Sequence, residues 1–203
     1  MNPALAPFVV QVPNTGRLMQ DVDAAFAAYG KRITREHVPR VAKLARELAL
    51  RFGADADNSE LAALLHDIGG VVPRGEMVSL CRALGLSVRA EEEQVPMLLH
   101  ARLSGVIARE VFGVDAPDVL QAIRFHTALH ARPTPLDQVV FLADKIEWDQ
   151  GGEPPYRAQL LAVLDAGLDA GTRFMLTWMY EHRADLLVVL PELRQAWAAY
   201  GIA

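Results

Sequence analysis

Apolar positions along this chain recur at three- and four-residue spacing, the period of helices that bury one face. Residues 34–52 carry Val38, Val41, Leu44, Ala45 and Leu48 on one stripe, and Gly53 follows as a stop. A shorter helix is expected over residues 18–28, ended by Gly30. The stretch "DADNSELAALLHDIGG" opens with cap-type residues, and Asp57 and Glu60 stand at capping-box spacing. Leu61, Leu64, Leu65 and Ile68 mark its buried face, with Gly69 and Gly70 expected to end the helix. Further helices are predicted over about 74–84, 98–112, 117–130 and 136–147, and two or three more from Tyr156 onward, after the turn-rich "WDQGGEPP". The pattern predicts an all-α protein in three parts. An irregular arm over 1–16 carries Pro3, Pro7 and Pro13; a helical domain spans 17–150; and a helical extension, 151–203, packs on it.

Composition agrees with this pattern. Of 203 residues 52% are hydrophobic, enough to bury a sizeable core. Alanine and leucine dominate over the β-branched and aromatic types that favour strands. A net charge of −5 argues against a surface that coats nucleic acid, although arginines cluster locally. Cys81 is the single cysteine, which excludes an internal disulfide and a thiolate-rich zinc site. It reads as a core thiol. The first residues, "MNPALAPFVVQVPN", have no basic start or sustained apolar run, so no signal peptide is expected. No segment approaches the roughly 18 apolar residues that span a bilayer. A cytoplasmic protein without a membrane partner is the expectation.

The chemistry lies in the histidines. His37, His66, His100, His126 and His130 fall within the helical domain, and His182 lies outside it. Any one of them is unremarkable as a solvated or hydrogen-bonded side chain. Their positions along the helices change the reading. His37 stands near the start of its helix and His66 near the end of the next, so antiparallel packing brings the two together. Asp67 follows His66 at about 100° around the helix axis, so the two side chains can grip one ion or two neighbouring ions. Asp144 sits in "VVFLADKIEW" behind Val140, Phe141 and Leu142. A carboxylate on so apolar a helix calls for a cation, whether arginine or metal. Mixed imidazole and carboxylate donors suit iron, manganese or zinc better than calcium.

The order His37, His66-Asp67, Asp144 resembles the HD superfamily of metal-dependent phosphohydrolases. "LLHARLSG" with His100 and "IRFHTAL" with His126 resemble the further histidines of its two-metal branch. Together "REHV", "LLHD", "LLH", "IRFHT" and "FLADKIE" are similar, in order and spacing, to the symmetrical bis(5′-nucleosyl)-tetraphosphatase subgroup, over about residues 35–147. The resemblance implies an HD-domain helical bundle with additional C-terminal helices. It also implies two divalent or mixed-valent metal ions, iron first and manganese or zinc as alternatives. His37, His66, Asp67 and Asp144 would hold one, and His100 and His126, with Asp67 bridging, the other. A small nucleotide would be the substrate, cleaved symmetrically when it is a dinucleoside tetraphosphate. A 5′-nucleotidase, an alarmone hydrolase or a sensing module without turnover are alternatives on the same scaffold. A homodimer is compatible with it.

Three segments depart from the subgroup. Glycines Gly69 and Gly70 stand where a lysine commonly follows the His-Asp pair. Ala128-Leu129-His130 replaces a threonine-glycine turn, and Trp148-Asp149-Gln150 follows the "ADKIE" element. The cationic help for phosphate chemistry must therefore come from elsewhere. Asp67, Arg102 and Lys145 are the expected catalytic residues, and Arg132 and His130 the expected substrate contacts. Arg102, Arg132 and Lys145 are equally readable as solvated helix charges, and His130 as a residue at a helix end.

Overall fold

The computed structural model describes residues 1–202 as helices and connecting turns. Eleven α-helices are formed by these residues: α1 Leu18–Ala28, α2 Arg32–Phe52, α3 Ala56–Leu65, α4 Met77–Ala83, α5 Ala90–Gln94, α6 His100–Glu110, α7 Pro117–Phe125, α8 Pro135–Ile146, α9 Arg157–Leu164, α10 Leu168–Glu181 and α11 Pro191–Ala199. No strand is formed among them. The all-α expectation holds.

Helix α2 is the longest element, and its stripe of Val38, Val41, Ala42, Ala45, Leu48 and Ala49 is buried against α3 and α8. Gly53 closes it in the left-handed conformation (φ 73°), which costs glycine nothing. Helix α8 runs through the middle of the core. Its residues from Leu136 to Ala143 are all buried, and Thr134 and Asp137 cap its first turn reciprocally. Phe26, Phe141 and Ile123 are fully buried, each worth roughly 1.5–3 kcal/mol of hydrophobic transfer. The C-terminal helices share this core: α10 packs on α8, Trp197 Nε1 donates to the Leu176 carbonyl at 2.9 Å, and Gln138 meets the Tyr200 hydroxyl at 3.1 Å. Cys81 is buried as expected.

Local chemistry moves several boundaries. Asp55, not Asp57, is the N-cap of α3 and accepts from the Asn58 amide, while Asp57 pairs outward with Arg46 at 2.6 Å. The segment over 98–112 starts as a 3₁₀ turn, Pro96–Leu99, before α6, and α5 forms where no helix was expected. Helix α7 stops at Phe125 rather than running to 130, and Leu129 is left-handed (φ 58°). The arm over 1–16 is anchored: Leu5 and Val9 are buried, and Asp21 accepts from both the amide and the hydroxyl of Thr15.

Most consequential is the end of α3. The α-helix stops at Leu65, and Ile68–Val71 forms a 3₁₀ turn, so His66 and Asp67 stand in the joint between the two. Gly69 and Gly70 do not end the helix as expected: they lie inside the 3₁₀ turn, where Gly69 has a packing role instead. Its amide donates to Ser104 Oγ at 2.8 Å, and a Cβ there would collide with the His100 carbonyl and lie 2.7 Å from the Ser104 nitrogen. The backbone of the turn thus rests directly on the first turn of α6.

Gly69→Ala is expected to destabilise the fold by about 3 kcal/mol, because backbone cannot yield as a flexible side chain can. That corresponds to a melting temperature lowered by roughly 6–12 °C for a chain of this length. Gly70→Ala is the control: nothing lies within 4 Å of its Cβ, so its melting temperature should stay near that of the parent.

Candidate metal centre

Six side chains from five segments meet at one cleft. His37 comes from α2, His66 and Asp67 from the joint after α3, His100 from the start of α6, His126 from the end of α7 and Asp144 from α8. The cleft encloses about 360 Å³.

Three of the histidines are fixed in the same way. His66 Nδ1 bonds the Ala63 carbonyl at 2.6 Å, His100 Nδ1 the Met97 carbonyl at 2.6 Å, and His126 Nδ1 the Ile123 carbonyl at 2.8 Å. Each acceptor lies three residues back, and those of His66 and His126 are carbonyls of a terminal helical turn that lack an intrahelical partner. A carbonyl only accepts, so each Nδ1 carries the proton. In a neutral ring this leaves the Nε2 lone pair aimed into the cleft, the arrangement that a metal-ligating histidine needs.

The Nε2 atoms converge on carboxylates. His100 Nε2 is 3.2 Å and His126 Nε2 3.5 Å from Asp67 Oδ1. His66 Nε2 is 3.6 Å from Asp67 Oδ2 and 3.7 Å from Asp144 Oδ1, and His37 Nε2 is 3.2 Å from Asp144 Oδ1. Two groups with metal-ligand spacing result, His37-His66-Asp67 and Asp67-His100-His126, and Asp67 belongs to both. Asp144 adjoins the first group through Oδ1, while its Oδ2 accepts from Lys145 Nζ at 2.7 Å.

The donor set fits divalent cations. His66 Nε2 is buried with no hydrogen-bond partner among the described residues, an orphan of a kind that native interiors rarely tolerate. His100 Nε2 and His126 Nε2 face each other at 3.0 Å. With both Nδ1 atoms protonated, two lone pairs oppose one another there, and a cation relieves the repulsion. Electrostatics agree. Burial opposes ionisation of Asp67, yet the imidazoles of His66, His100 and His126 outweigh it and hold the carboxyl far below the usual range. Burial likewise opposes ionisation of Asp144, and Lys145 and His37 reverse it. Burial, with His66 and His100 as like charges, pushes His126 down to about 3.

The remaining expected site residues divide. Lys145 lines the cleft. Arg102 does not: its guanidinium donates to the Ser87 carbonyl at 2.6 Å and to Glu92 at 2.9 Å, tying α6 to α5. Residues two apart on a helix point about 200° apart, so the nearness of Arg102 to His100 in sequence turns it away from the ligands. His130 and Arg132 line a separate cavity beside the start of α11, and His130 Nε2 meets Asp137 Oδ2 at 3.1 Å. Because α7 ends at Phe125, His130 does not share a helix face with His126. Lys31, Thr34, Met97 and Thr127 line the cleft and were not anticipated, and Asp149, from the Trp148-Asp149-Gln150 segment, lines it too. Thr127 was legible as the neighbour of His126. Lys31 carried no signal, since only the packing of the α1–α2 turn brings it to the cleft.

Comparison with known proteins places this geometry. A family model described as HD domain matches residues 34–149. The chain is similar to a symmetrical bis(5′-nucleosyl)-tetraphosphatase from Halalkalibacterium halodurans, 39% identical over 55% of this chain and 59% of that protein. Another symmetrical bis(5′-nucleosyl)-tetraphosphatase, from Bacillus subtilis, is 33% identical over 62% of this chain and 68% of its own length. Among solved structures, a "predicted HD superfamily hydrolase involved in NAD metabolism" from Clostridium acetobutylicum superposes with a TM-score of 0.77 at 24% identity, covering 90% of this chain and 95% of that one. That last likeness bears on the fold.

In metal-free protein, long-range proton–nitrogen NMR should find the proton on Nδ1 of His66, His100 and His126. His126 should keep its neutral form at pH 5, where a free imidazole near 6.5 is mostly charged. Its folded value lies below the unfolded one, so the stability it contributes is complete above about 6.5 and is lost as pH falls toward 3. An Nε2-protonated tautomer at these residues would overturn the assignment.

Proposed function

This chain belongs to the HD domain family, and we propose that it hydrolyses a nucleotide phosphoanhydride or phosphoester, a dinucleoside tetraphosphate cleaved into two nucleoside diphosphates fitting best. The observation that carries this reading is the meeting of two ligand groups at Asp67, in one cleft that also holds two lysines. In this reading His37, His66, Asp67 and Asp144 hold one ion and Asp67, His100 and His126 the other. Iron is the first choice, with manganese or zinc as alternatives, because availability selects among first-row ions at such donors. Bound there, the pair of cations supplies Lewis acidity to phosphoryl oxygens and a water reactive at neutral pH.

The chain's own residues do the rest. Asp67 and Asp144 give the cleft floor a negative charge that repels a polyphosphate unless cations balance it. Lys145 is partly spent on Asp144, whereas Lys31 has no acidic partner among the described residues. Lys31 is therefore the free ammonium that meets phosphoryl or leaving-group charge. The Thr34 hydroxyl is a donor to phosphoryl oxygens, the Thr127 hydroxyl meets His126 Nε2 at 3.1 Å, and exposed Met97 offers an apolar seat for a sugar or base. Gly70 leaves its side of the cleft open, with nothing within 4 Å of a Cβ. The cation that the resembled subgroup places after the His-Asp pair is supplied here from the turn before α2, which predicts a selectivity of its own.

Protein loaded with iron or manganese should contain two ions per chain by elemental analysis, and His100→Ala and His126→Ala should each lower this toward one with helicity preserved. A parent value of one, with both variants active, would leave a one-metal nucleotidase as the better reading.

Lys31→Met should keep both ions and cost about 1.5–3 kcal/mol of transition-state stabilisation, roughly a 10- to 100-fold fall in kcat/KM. Product analysis decides the substrate: two nucleoside diphosphates from a tetraphosphate support symmetrical cleavage, whereas inorganic phosphate from a monophosphate supports a nucleotidase.

A further inference from the structure

A second cleft, of about 350 Å³, opens between α6 and α7, and the metal centre uses none of it. Its walls are apolar, formed by Leu86, Val106, Leu120 and Phe125. Its polar lining is cationic: Arg102, Arg109 and Arg124, with Gln121 between them. The arrangement stands out on a chain whose net charge is −5.

Two of the three charges in this cleft are not balanced by the protein. The two carboxylates near Arg124, Glu92 and Glu192, are already engaged: Glu92 binds Arg102, and Glu192 binds Arg89. Arg109 and Arg124 have no acidic partner among the described residues. Arg124 instead lies over the face of Phe125, its guanidinium carbon 5.1 Å from the ring centroid. A guanidinium held on an aromatic face beside an apolar wall presents its N–H edge to solvent and keeps its geometry when an anion arrives. Gln121 donates its amide nitrogen to Asp137 at 2.8 Å, which leaves its carbonyl oxygen free to accept.

The cleft also differs in position from the metal site. Arg102 follows the ligand His100 by two residues on α6, and Arg124 precedes His126 by two at the end of α7. At about 200° of rotation, both arginines leave their helices on the side away from the ligands.

We propose that the α6–α7 cleft is a second nucleotide site, which takes the phosphates of a nucleoside diphosphate on Arg109 and Arg124 and its base against the apolar wall. Its volume is that of a small-molecule pocket, and apolar walls with a few convergent polar groups are what such ligands require. Two unpaired guanidinium groups match a diphosphate, which each can bind in bidentate fashion. Occupancy would bear on the ends of α6 and α7, the elements that carry His100 and His126. The site thereby links nucleotide level to the metal centre through two shared helices, and its existence does not depend on which ester the metal centre cleaves.

The test is calorimetry of ADP and, separately, pyrophosphate binding to the metal-loaded full chain and to the double variant Arg109→Gln/Arg124→Gln. Both side chains are exposed, so the variant should fold, with its metal content and its turnover of a generic phosphate ester unchanged. The expected result is loss of one ADP equivalent per chain, or at least a 10-fold weaker affinity for it. Lys31→Met should leave that equivalent within two-fold. Weaker binding of pyrophosphate than of ADP would support a seat for the base. If pyrophosphate binds as tightly as ADP, the site reads phosphate alone and the nucleotide assignment falls. Unchanged ADP stoichiometry and affinity in the double variant would overturn the proposal, whatever the outcome at the metal centre. A single ADP equivalent that vanishes in the double variant would support this cleft and count instead against nucleotide binding at the metals.

Discussion

Two carboxylates and four imidazoles sharing one largely dehydrated cleft are the constraint around which the molecule is arranged. Asp67 and Asp144 keep only 19% and 16% of their side-chain surface exposed. Withdrawing a carboxylate from water costs several kcal/mol, a cost that neutral surroundings do not return. Here the return comes from charge. Lys145 and His37 act on Asp144, and three imidazoles act on Asp67, yet His66 Nε2 still lacks a partner and the Nε2 atoms of His100 and His126 face each other at 3.0 Å. Divalent cations held there would satisfy both deficits together.

The secondary structure serves this constraint at its ends rather than along its faces. His66 and His126 each use a terminal-turn carbonyl as the anchor for Nδ1, and His100 uses the 3₁₀ turn that leads into α6. Helix interiors have no such spare acceptors, since each carbonyl is taken by the amide four residues on. Stopping α3 at Leu65 and α7 at Phe125 thus creates the donor geometry. The contact of Gly69 with α6 then sets the separation of Asp67 from His100, because backbone lies against backbone with no side chain between.

Charge outside the cleft is sorted by the same helices. Arg102 and Arg124, each two residues from a ligand, leave on the far side; Arg102 is tied to Glu92, and Arg124 stands unpaired, as does Arg109 farther along α6. The cleft itself is served by lysines, Lys31 and Lys145. A point charge on a flexible stem can follow a group that moves, whereas the planar guanidinium suits a ligand bound in one pose.

Much of this was legible in the sequence. The 3.6-residue period gave the all-α class and most helices, because burial of one face is a local property of spacing. The six ligand candidates, His37, His66, Asp67, His100, His126 and Asp144, were legible as polar residues set into apolar helices in a family-like order, and the fold gathers all six in one cleft. Boundaries were less so: Asp55 rather than Asp57 caps α3, and α7 ends five residues before 130, because competing caps differ by less energy than the tertiary contacts that choose between them. Arg102, Arg132 and His130 were placed near the ligands by sequence distance, and the tertiary structure sends them elsewhere. Proximity along a helix is not proximity in space once two residues turn a side chain through 200°. Lys31 is the converse case. It precedes α2, has no motif around it, and reaches the cleft only because α2 packs between α3 and α8. Residue types and their period fixed which chemistry was possible; the packing of helix ends decided which charges face it.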